Sequence, residues 1–327
     1  MTKPKVYVTR TMHPETLARL EAVAEVTMRR EAGRCPSEEL IREAANAAAV
    51  VGTDTWTAAM MAAAPALKHI ALTSVGFDMV DLAAATARGI LVTNTAGSLT
   101  DTVADLVFGL MISAARRIPE MDRWTRAGKW VNLGAAPMGL DVYGKTLGIV
   151  GLGRIGVAVA ERARGFRMRL LCHDSVRREG EERRLGCEFV SLERLLGESD
   201  FVTLHTPLGP ETRGLIGAAQ LAQMKPTAFL INTSRGPVVD EAALIAALQA
   251  KRIAGAALDV FEQEPVDPKS PLLAMENVVV LPHIGSATAA TRQAMVDLAV
   301  DNALAVLQQK PPLTLVNPEV LERLRKR

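Results

Sequence analysis

Residues 147–156 read LGIVGLGRIG, and this stretch decides the fold. A short apolar run, 147–150, is followed by Gly151, Gly153 and Gly156 and then by an alanine-rich segment typical of a helix. In this spacing the first glycine permits a tight turn, the second lets the backbone approach a diphosphate, and the third lets the helix pack close to the strand. The pattern predicts a buried parallel strand that leads into a dinucleotide-binding turn.

An acidic residue follows at the position that a dinucleotide site requires. A second apolar run, 168–172, precedes Asp174, which lies 23 residues after Gly151. A carboxylate near this spacing accepts a hydrogen bond from a ribose 2′-hydroxyl. Because a carboxylate repels a 2′-phosphate, Asp174 favours NAD(H); NADP(H) is the alternative, since Arg177 and Arg178 lie close by in the sequence.

The composition indicates a two-domain protein without nucleic-acid or membrane partners. The chain has 327 residues, of which 49% are hydrophobic, and this length suits two domains. A net charge of +2 gives no reason to expect nucleic acid. Many arginines fall within 162–184, but they alternate with Glu179, Glu181 and Glu182, which predicts a solvated helix face rather than a basic binding patch.

The cysteines and the first residues favour a reducing compartment. Cys35, Cys172 and Cys187 are scattered and form no CxxC pair, so neither a disulfide framework nor a metal site is expected. The opening MTKPKVYVTR begins directly with a strand-like segment and has no apolar signal core. No apolar run approaches the length of a membrane span. We therefore expect a cytoplasmic protein.

Strand and helix patterns alternate twice along the chain, which predicts two parallel α/β units. Strands of the first unit are expected at 5–9, 25–29, 49–52, 67–74 and 90–93. Six strands of the second are expected at 147–150, 168–173, 201–204, 228–232, 255–259 and 278–281. A last helix, 288–308, follows the second set, and the sequence leaves open which unit it joins. The predicted fold class is α/β, with two Rossmann-like, doubly wound parallel-sheet domains and a cleft between them.

Reactive side chains follow several of these strands, where open parallel sheets place their ligands. Arg235, between small polar residues, can present a planar fork to a carboxylate. Asp259 ends an apolar strand, where a charge requires a partner. His283 is a candidate acid/base group if a neighbouring carboxylate stabilises its protonated form. Together with the glycine loop, these residues indicate hydride transfer to or from a 2-oxo or 2-hydroxy acid, without a metal.

Several motifs along the chain resemble the D-2-hydroxyacid dehydrogenases, and among them the glyoxylate/hydroxypyruvate reductases. They are SVGFDMVDL, VTNTAGSLTDTVADL, GKTLGIVGLGRIG, INTSRGPVVDE, ALDVFEQEP and LPHIGSAT. The resemblance implies a discontinuous substrate domain, residues 1–98 plus 287–327, and a nucleotide-binding domain, residues 99–286. It also implies a homodimer built largely through residues 99–145.

The resemblance also assigns roles by position. Arg235, Glu264 and His283 would be the catalytic trio, with His283 as the proton donor in reduction and Glu264 orienting it. The backbone amides of Val75 and Gly76 would receive the substrate carboxylate. The cofactor would contact the three glycines of the loop and Thr102, Arg154, Ile155, Asp174, Thr206, Pro207, Thr233, Asp259, Gly285 and Ser286.

The substrate remains open at this stage. The segment 130–140, WVNLGAAPMGL, lacks the aromatic-rich insert of many hydroxypyruvate reductases. A 3-phosphoglycerate or 2-ketogluconate dehydrogenase is therefore an alternative to a glyoxylate/hydroxypyruvate reductase. The alternative from a different class is a non-catalytic NAD(H)-sensing scaffold.

Overall fold

The computed structural model describes residues 2–132 and 134–321, and the chain divides into two compact units. The first comprises Met1–Leu99 and Ala287–Arg327, and the second comprises Thr100–Ser286. Leu99 lies in the first unit, one residue beyond the predicted boundary. Each unit is built around one sheet in which every neighbouring pair of strands is parallel.

The elements alternate as the sequence predicts. The strands are β1 (Lys5–Val8), β2 (Glu25–Met28), β3 (Ala49–Gly52), β4 (His69–Leu72), β5 (Leu91–Thr93), β6 (Thr146–Val150), β7 (Arg169–His173), β8 (Cys187–Phe189), β9 (Phe201–Leu204), β10 (Phe229–Asn232), β11 (Gly255–Leu258) and β12 (Val278–Val280). The α-helices are α1 (Pro14–Glu21), α2 (Ser37–Ala44), α3 (Ala58–Ala62), α4 (Leu82–Arg88), α5 (Thr100–Ala115), α6 (Ile118–Arg126), α7 (Arg154–Ala163), α8 (Glu179–Leu185), α9 (Leu192–Glu198), α10 (Ala218–Gln223), α11 (Glu241–Gln249) and α12 (Ala289–Leu307).

The first unit has a five-stranded sheet in the order β2-β1-β3-β4-β5. All residues of β3 and β4 are buried, as expected for strands that are covered by helices on both faces. The last helix, α12, joins this unit and packs against β3, β4 and α1. Its residues Ala299, Val300 and Ala303 lie in one core cluster with Val6 and Val8 of β1. The question that the sequence left open is thereby answered.

The second unit has a seven-stranded sheet in the order β12-β11-β10-β9-β6-β7-β8. The chain winds outward from β6 in one direction and then returns to its other side at β9, so this sheet is doubly wound. The prediction of six strands was wrong, because β8 was missed. It is a three-residue edge strand, Cys-Glu-Phe, too short and too polar to show an apolar pattern. The predicted α/β class with two parallel-sheet domains is confirmed.

The order of strands places a ligand site between β6 and β9. At this point the connections turn to opposite sides of the sheet, and doubly wound folds bind their ligands at the carboxyl ends of such strands. Side chains of β6 alternate between two cores: Leu147 and Ile149 pack into one cluster, and Val150 packs into the other.

Within the described ranges, no helix has the length and apolar character needed to cross a membrane.

A buried histidine lies in the centre of the first sheet. His69, in β4, is fully buried, and its Nε2 lies 2.9 Å from Thr93 Oγ1. Its Nδ1 has no hydrogen-bond partner among the described residues. Burial disfavours the charged ring and lowers the pKa of His69 to about 3. The folded first unit therefore holds a neutral imidazole in its core at neutral and mildly acidic pH.

This histidine makes the stability of the protein depend on pH. Between about pH 6.5 and pH 3 the unfolded chain binds a proton at His69 that the folded chain does not bind. The contribution of the neutral His69 to the free energy of unfolding is fully present above pH 6.5. It falls on acidification by at most about 1.4 kcal/mol per pH unit. We expect His69→Gln to reduce this slope in urea denaturation measured from pH 4.5 to 7. Equal slopes for the variant and the wild type would contradict the assignment.

Candidate active site

The glycine loop after β6 is shaped by backbone contacts that exclude side chains. Gly151 has φ +95°, and a Cβ there would lie 2.8 Å from the carbonyl group of His205, which follows β9. A Cβ on Gly156 would lie 2.1 Å from the carbonyl oxygen of Gly151. A Cβ on Gly153, by contrast, would meet nothing within 4 Å among the described residues. Close packing behind the loop and open space at the start of α7 fit a bound diphosphate.

Arg154 and Ile155 form the first turn of α7, after Gly153 as its N-cap. Backbone N–H groups in the first turn of a helix have no partner within the helix and attract anions. Asp174 lies beside this loop: its Oδ2 accepts a hydrogen bond from the amide of Leu152 at 2.7 Å, and its Oδ1 accepts one from Val176 at 3.2 Å. The predicted ribose carboxylate therefore contacts the predicted diphosphate loop.

Two buried hydroxyl groups mark the neighbouring strand ends. Thr206 follows β9 and Thr233 follows β10, and the Oγ1 atom of each is buried without a hydrogen-bond partner among the described residues. An unsatisfied buried hydroxyl costs roughly 1–3 kcal/mol, so such groups are usually satisfied by a ligand or by water. Both threonines were predicted to line the cofactor groove, and their unpaired hydroxyls fit a polar cofactor. Pro207 lies in the same loop as Thr206, and Thr102 lies in the first turn of α5.

His283 and Glu264 form a hydrogen-bonded pair in the second unit. His283 Nδ1 lies 2.7 Å from Glu264 Oε2, and the other oxygen, Oε1, accepts a hydrogen bond from the amide of Phe261 at 3.1 Å. The His283 side chain is 49% exposed and that of Glu264 is 33% exposed, so the pair is open to a ligand. Since Nδ1 donates to the carboxylate, Nε2 is the ring atom that faces away from Glu264 and can exchange a proton.

Glu264 stays ionised despite its partial burial. Burial alone raises the pKa of this carboxyl, but the hydrogen bond and charge of His283, the Phe261 amide and the charge of Arg235 together hold the pKa below its ordinary value. The ionised Glu264 accepts the hydrogen bond from His283 Nδ1 and thereby fixes the orientation of the ring.

A buried carboxylate fixes the backbone around His283. Asp259, at the end of β11, is 1% exposed; its Oδ1 accepts from the amide of Ile284 at 2.7 Å and its Oδ2 from Gly285 at 2.8 Å. His283 itself has φ +54°, a left-handed conformation that is unfavourable for a residue with a side chain. Burial raises the pKa of Asp259 in spite of these amides. The sequence predicted Asp259 near the cofactor but not that it holds the residues after His283.

Arg235 is brought near Glu264 by a glycine. It follows β10 and begins the short turn Gly236–Val238, and its Nη1 donates to the carbonyl of Ser234 at 2.7 Å. A Cβ on Gly236 would lie 1.8 Å from the carbonyl oxygen of Phe261, so only glycine lets the two loops meet. Because Phe261 also holds Glu264, this contact places the Arg235 loop against the loop of the acid/base pair.

The remaining predicted residues are placed as follows. Val75 and Gly76 follow β4 in the first unit, where Asn94 donates to the carbonyl of Val75 and Ser74 to that of Gly76; their contact with a substrate stays a prediction. Ser286 is the last residue of the second unit. His205, in the loop after β9, is excluded as an acid, because burial lowers its pKa to about 3. Among the described residues, no cluster of His, Cys, Asp and Glu side chains could hold a metal ion.

A doubly wound sheet with a glycine turn at its switch point is the architecture of dinucleotide-binding domains. The family model described as "D-isomer specific 2-hydroxyacid dehydrogenase, NAD binding domain" matches residues 108–285. The chain is 49% identical to a glyoxylate reductase of Korarchaeum cryptofilum and 46% identical to glyoxylate/hydroxypyruvate reductase B of Salmonella typhi; the matches cover 98% and 97% of this chain and 98% and 99% of those proteins.

A solved structure shows the same fold. It is an NADPH-dependent glyoxylate/hydroxypyruvate reductase from Sinorhizobium meliloti in complex with NADP and malonate; it has a TM-score of 0.87 at 37% identity, with 98% of each chain covered. The chain belongs to the D-isomer specific 2-hydroxyacid dehydrogenase family and is an NAD(P)-dependent oxidoreductase. The family predicted from the sequence motifs is confirmed.

Replacing Asp259 by asparagine tests whether its carboxyl group holds the backbone after His283. In Asp259→Asn one amide N–H, of Ile284 or Gly285, would face the new NH₂ group and lose its acceptor. We expect the free energy of unfolding to fall by roughly 1–3 kcal/mol, as for other buried donors left unpaired. Urea denaturation measures this, with Glu262→Gln, an exposed acid in the same segment, as the control. Identical denaturation midpoints for both variants would contradict the assignment.

Proposed function

We propose that the protein reduces a small 2-oxo acid, glyoxylate or hydroxypyruvate, to the corresponding D-2-hydroxy acid (glycolate or D-glycerate) with NADH. The observation that carries the proposal is the hydrogen bond of 2.7 Å between His283 and Glu264, in the unit that also carries the glycine loop. The family membership supports the reaction class, and the names of the similar proteins support these two substrates.

Each residue of the trio has one task in this reaction. Arg235 binds the substrate carboxylate and polarises the 2-oxo group through its planar, charged guanidinium. A bound nicotinamide supplies the hydride to the carbonyl carbon. His283 donates the proton on Nε2 to the carbonyl oxygen as negative charge develops there. Glu264 orients the ring by accepting the hydrogen bond from His283 Nδ1.

In this proposal the cofactor is bound by the start of α7 and by residues that follow the neighbouring strands. The amides of Arg154 and Ile155 receive the diphosphate, and the unpaired hydroxyls of Thr206 and Thr233 line the groove. Gly285 and Ser286 close the nicotinamide end in this proposal, with Asp259 behind them. Asp174 accepts from the ribose hydroxyls and makes NADH the preferred cofactor, with NADPH as the alternative. The family resemblance also assigns the amides of Val75 and Gly76 to the substrate carboxylate.

A panel of 2-oxo acids tests the proposed reaction. We expect oxidation of NADH with glyoxylate or hydroxypyruvate and little with pyruvate, phosphohydroxypyruvate or 2-ketogluconate. His283→Ala should lower kcat by roughly 10²- to 10⁴-fold, the usual contribution of a positioned acid. The control is His13→Ala, which removes an exposed histidine of the first unit. NADH fluorescence measures binding separately from turnover in each variant.

Two results would overturn the proposed function. Preferred turnover of phosphohydroxypyruvate or 2-ketogluconate would assign the protein to one of the alternative substrates. Tight binding of NADH without turnover of any substrate would assign it to the sensing class. Unchanged turnover in His283→Ala would move the proton donor to another residue.

The protein is proposed to act as a homodimer. Among the described residues, six exposed large apolar side chains fall within 118–143, namely Ile118, Trp130, Val131, Met138, Leu140 and Tyr143. Exposed apolar residues that are this concentrated mark a protein interface, and the segment lies within the one that the family resemblance assigns to the dimer.

The three cysteines are free and buried, which supports a reducing, cytoplasmic location.

Acidic side chains introduced into the segment 118–143 should dissociate the proposed homodimer. We expect Val131→Asp combined with Met138→Asp to shift the mass measured by light scattering toward that of the 35.0 kDa chain, because both carboxylates would be desolvated in the interface. The control is Leu313→Asp, an exposed apolar residue of the first unit. A dimer that persists in the double variant, or a wild type that is already monomeric, would refute this interface.

A further inference from the structure

Helix α8 contains a buried acid that the proposed mechanism does not use. Glu182 was predicted on a solvated face, but this prediction was wrong, because its side chain is only 5% exposed. Its Oε2 accepts a hydrogen bond from Arg177 Nη2 at 2.5 Å, and its Oε1 accepts one from the amide of Arg178 at 2.9 Å. The hydrogen bond from Arg177 lowers the pKa of Glu182 in spite of its burial, so the acid is ionised.

Arg177 is held from a second side by aromatic stacking. Its guanidinium lies 4.9 Å from the ring centre of Phe189, at the end of β8. Phe189 in turn stacks on His173, with ring centres 6.1 Å apart, and His173 directly precedes Asp174. The contacts therefore place Arg177 beside the end of β7, where the proposed site holds the adenosine ribose. The side chain is 55% exposed there, yet its hydrogen-bonding edge is turned to Glu182.

We propose that Glu182 is a positioning residue for cofactor choice: by binding Arg177 it withholds the guanidinium from a 2′-phosphate and so makes the site select NADH over NADPH. The inference rests on the proposed function, because it assumes that the ribose lies at Asp174. It extends that function to a residue that never touches the cofactor.

The charges around the loop support this selection. A phosphate monoester carries about −1.5 to −2 charges at neutral pH and is bound best by a guanidinium that offers two N–H groups. Glu182 engages the Nε and Nη2 edge of Arg177 and offsets its charge, and releasing that edge to a phosphate would strand an ionised carboxylate in a buried position. Asp174 repels the same phosphate. The ribose diol of NADH is neutral. Binding it requires no release of Arg177 from Glu182 and brings no negative group towards Asp174.

Direct binding of both nucleotides tests the proposal. We expect Glu182→Gln to tighten the Kd of NADPH by roughly 2- to 5-fold, the range for a partly exposed charge contact, and to change that of NADH by less than about 1.5-fold. The matched control is Glu181→Gln, which makes the same charge change in the same helix but leaves Arg177 paired; its own partner is Arg184. Kd values from NADH and NADPH fluorescence require no turnover.

A double variant keeps the test decisive even if Glu182→Gln folds poorly. Replacing both members of the ion pair by apolar residues leaves neither charge without its partner, so R177M/E182M should fold. The proposal predicts that this variant binds NADPH as the wild type does, because in the wild type Arg177 is already withheld. Weaker NADPH binding by the double variant, or an unchanged NADPH-to-NADH ratio in folded Glu182→Gln, would overturn it. A wild type that binds neither nucleotide would instead refute the proposed function.

Discussion

The contact between Gly151 and the backbone after β9 is the constraint on which the second unit depends. The two strands run side by side at the centre of the sheet, and the turns that follow them meet without room for a side chain. Since Gly156 then packs on the carbonyl of Gly151, the start of α7 is drawn onto the same point. Three polypeptide segments converge there.

The acid/base pair is built by the same means, with backbone contacts positioning side chains. Gly236 lets the loop of Arg235 meet Phe261, whose amide holds Glu264. Asp259 binds the amides after His283 and stabilises its left-handed backbone. His283, which is half exposed to solvent, is thus supported by the buried carboxyl group of Asp259. Precise placement at an open surface requires such rigid support beneath it.

Much of the fold was readable from the sequence because buried parallel strands are continuous apolar runs. The predicted ranges 49–52 and 201–204 agree with β3 and β9, whereas β8 has no such run. The residues of the candidate site were found because they follow strands. Their partners were not: the amides that Asp259 binds lie 25 and 26 residues further along the chain. Glu182 was misassigned for a related reason, since only the fold shows that its helix turns this position inward.

The position of α12 has a consequence for the order in which the protein assembles during its synthesis. The second unit is one continuous segment, so all its strands have been translated once residue 286 is made. The first unit needs α12 to cover β3 and β4, although those strands leave the ribosome some two hundred residues earlier. Its apolar sheet face stays uncovered while the second unit is made. The first unit is therefore the last part of the chain to become native, and the part that a chaperone would need to shield.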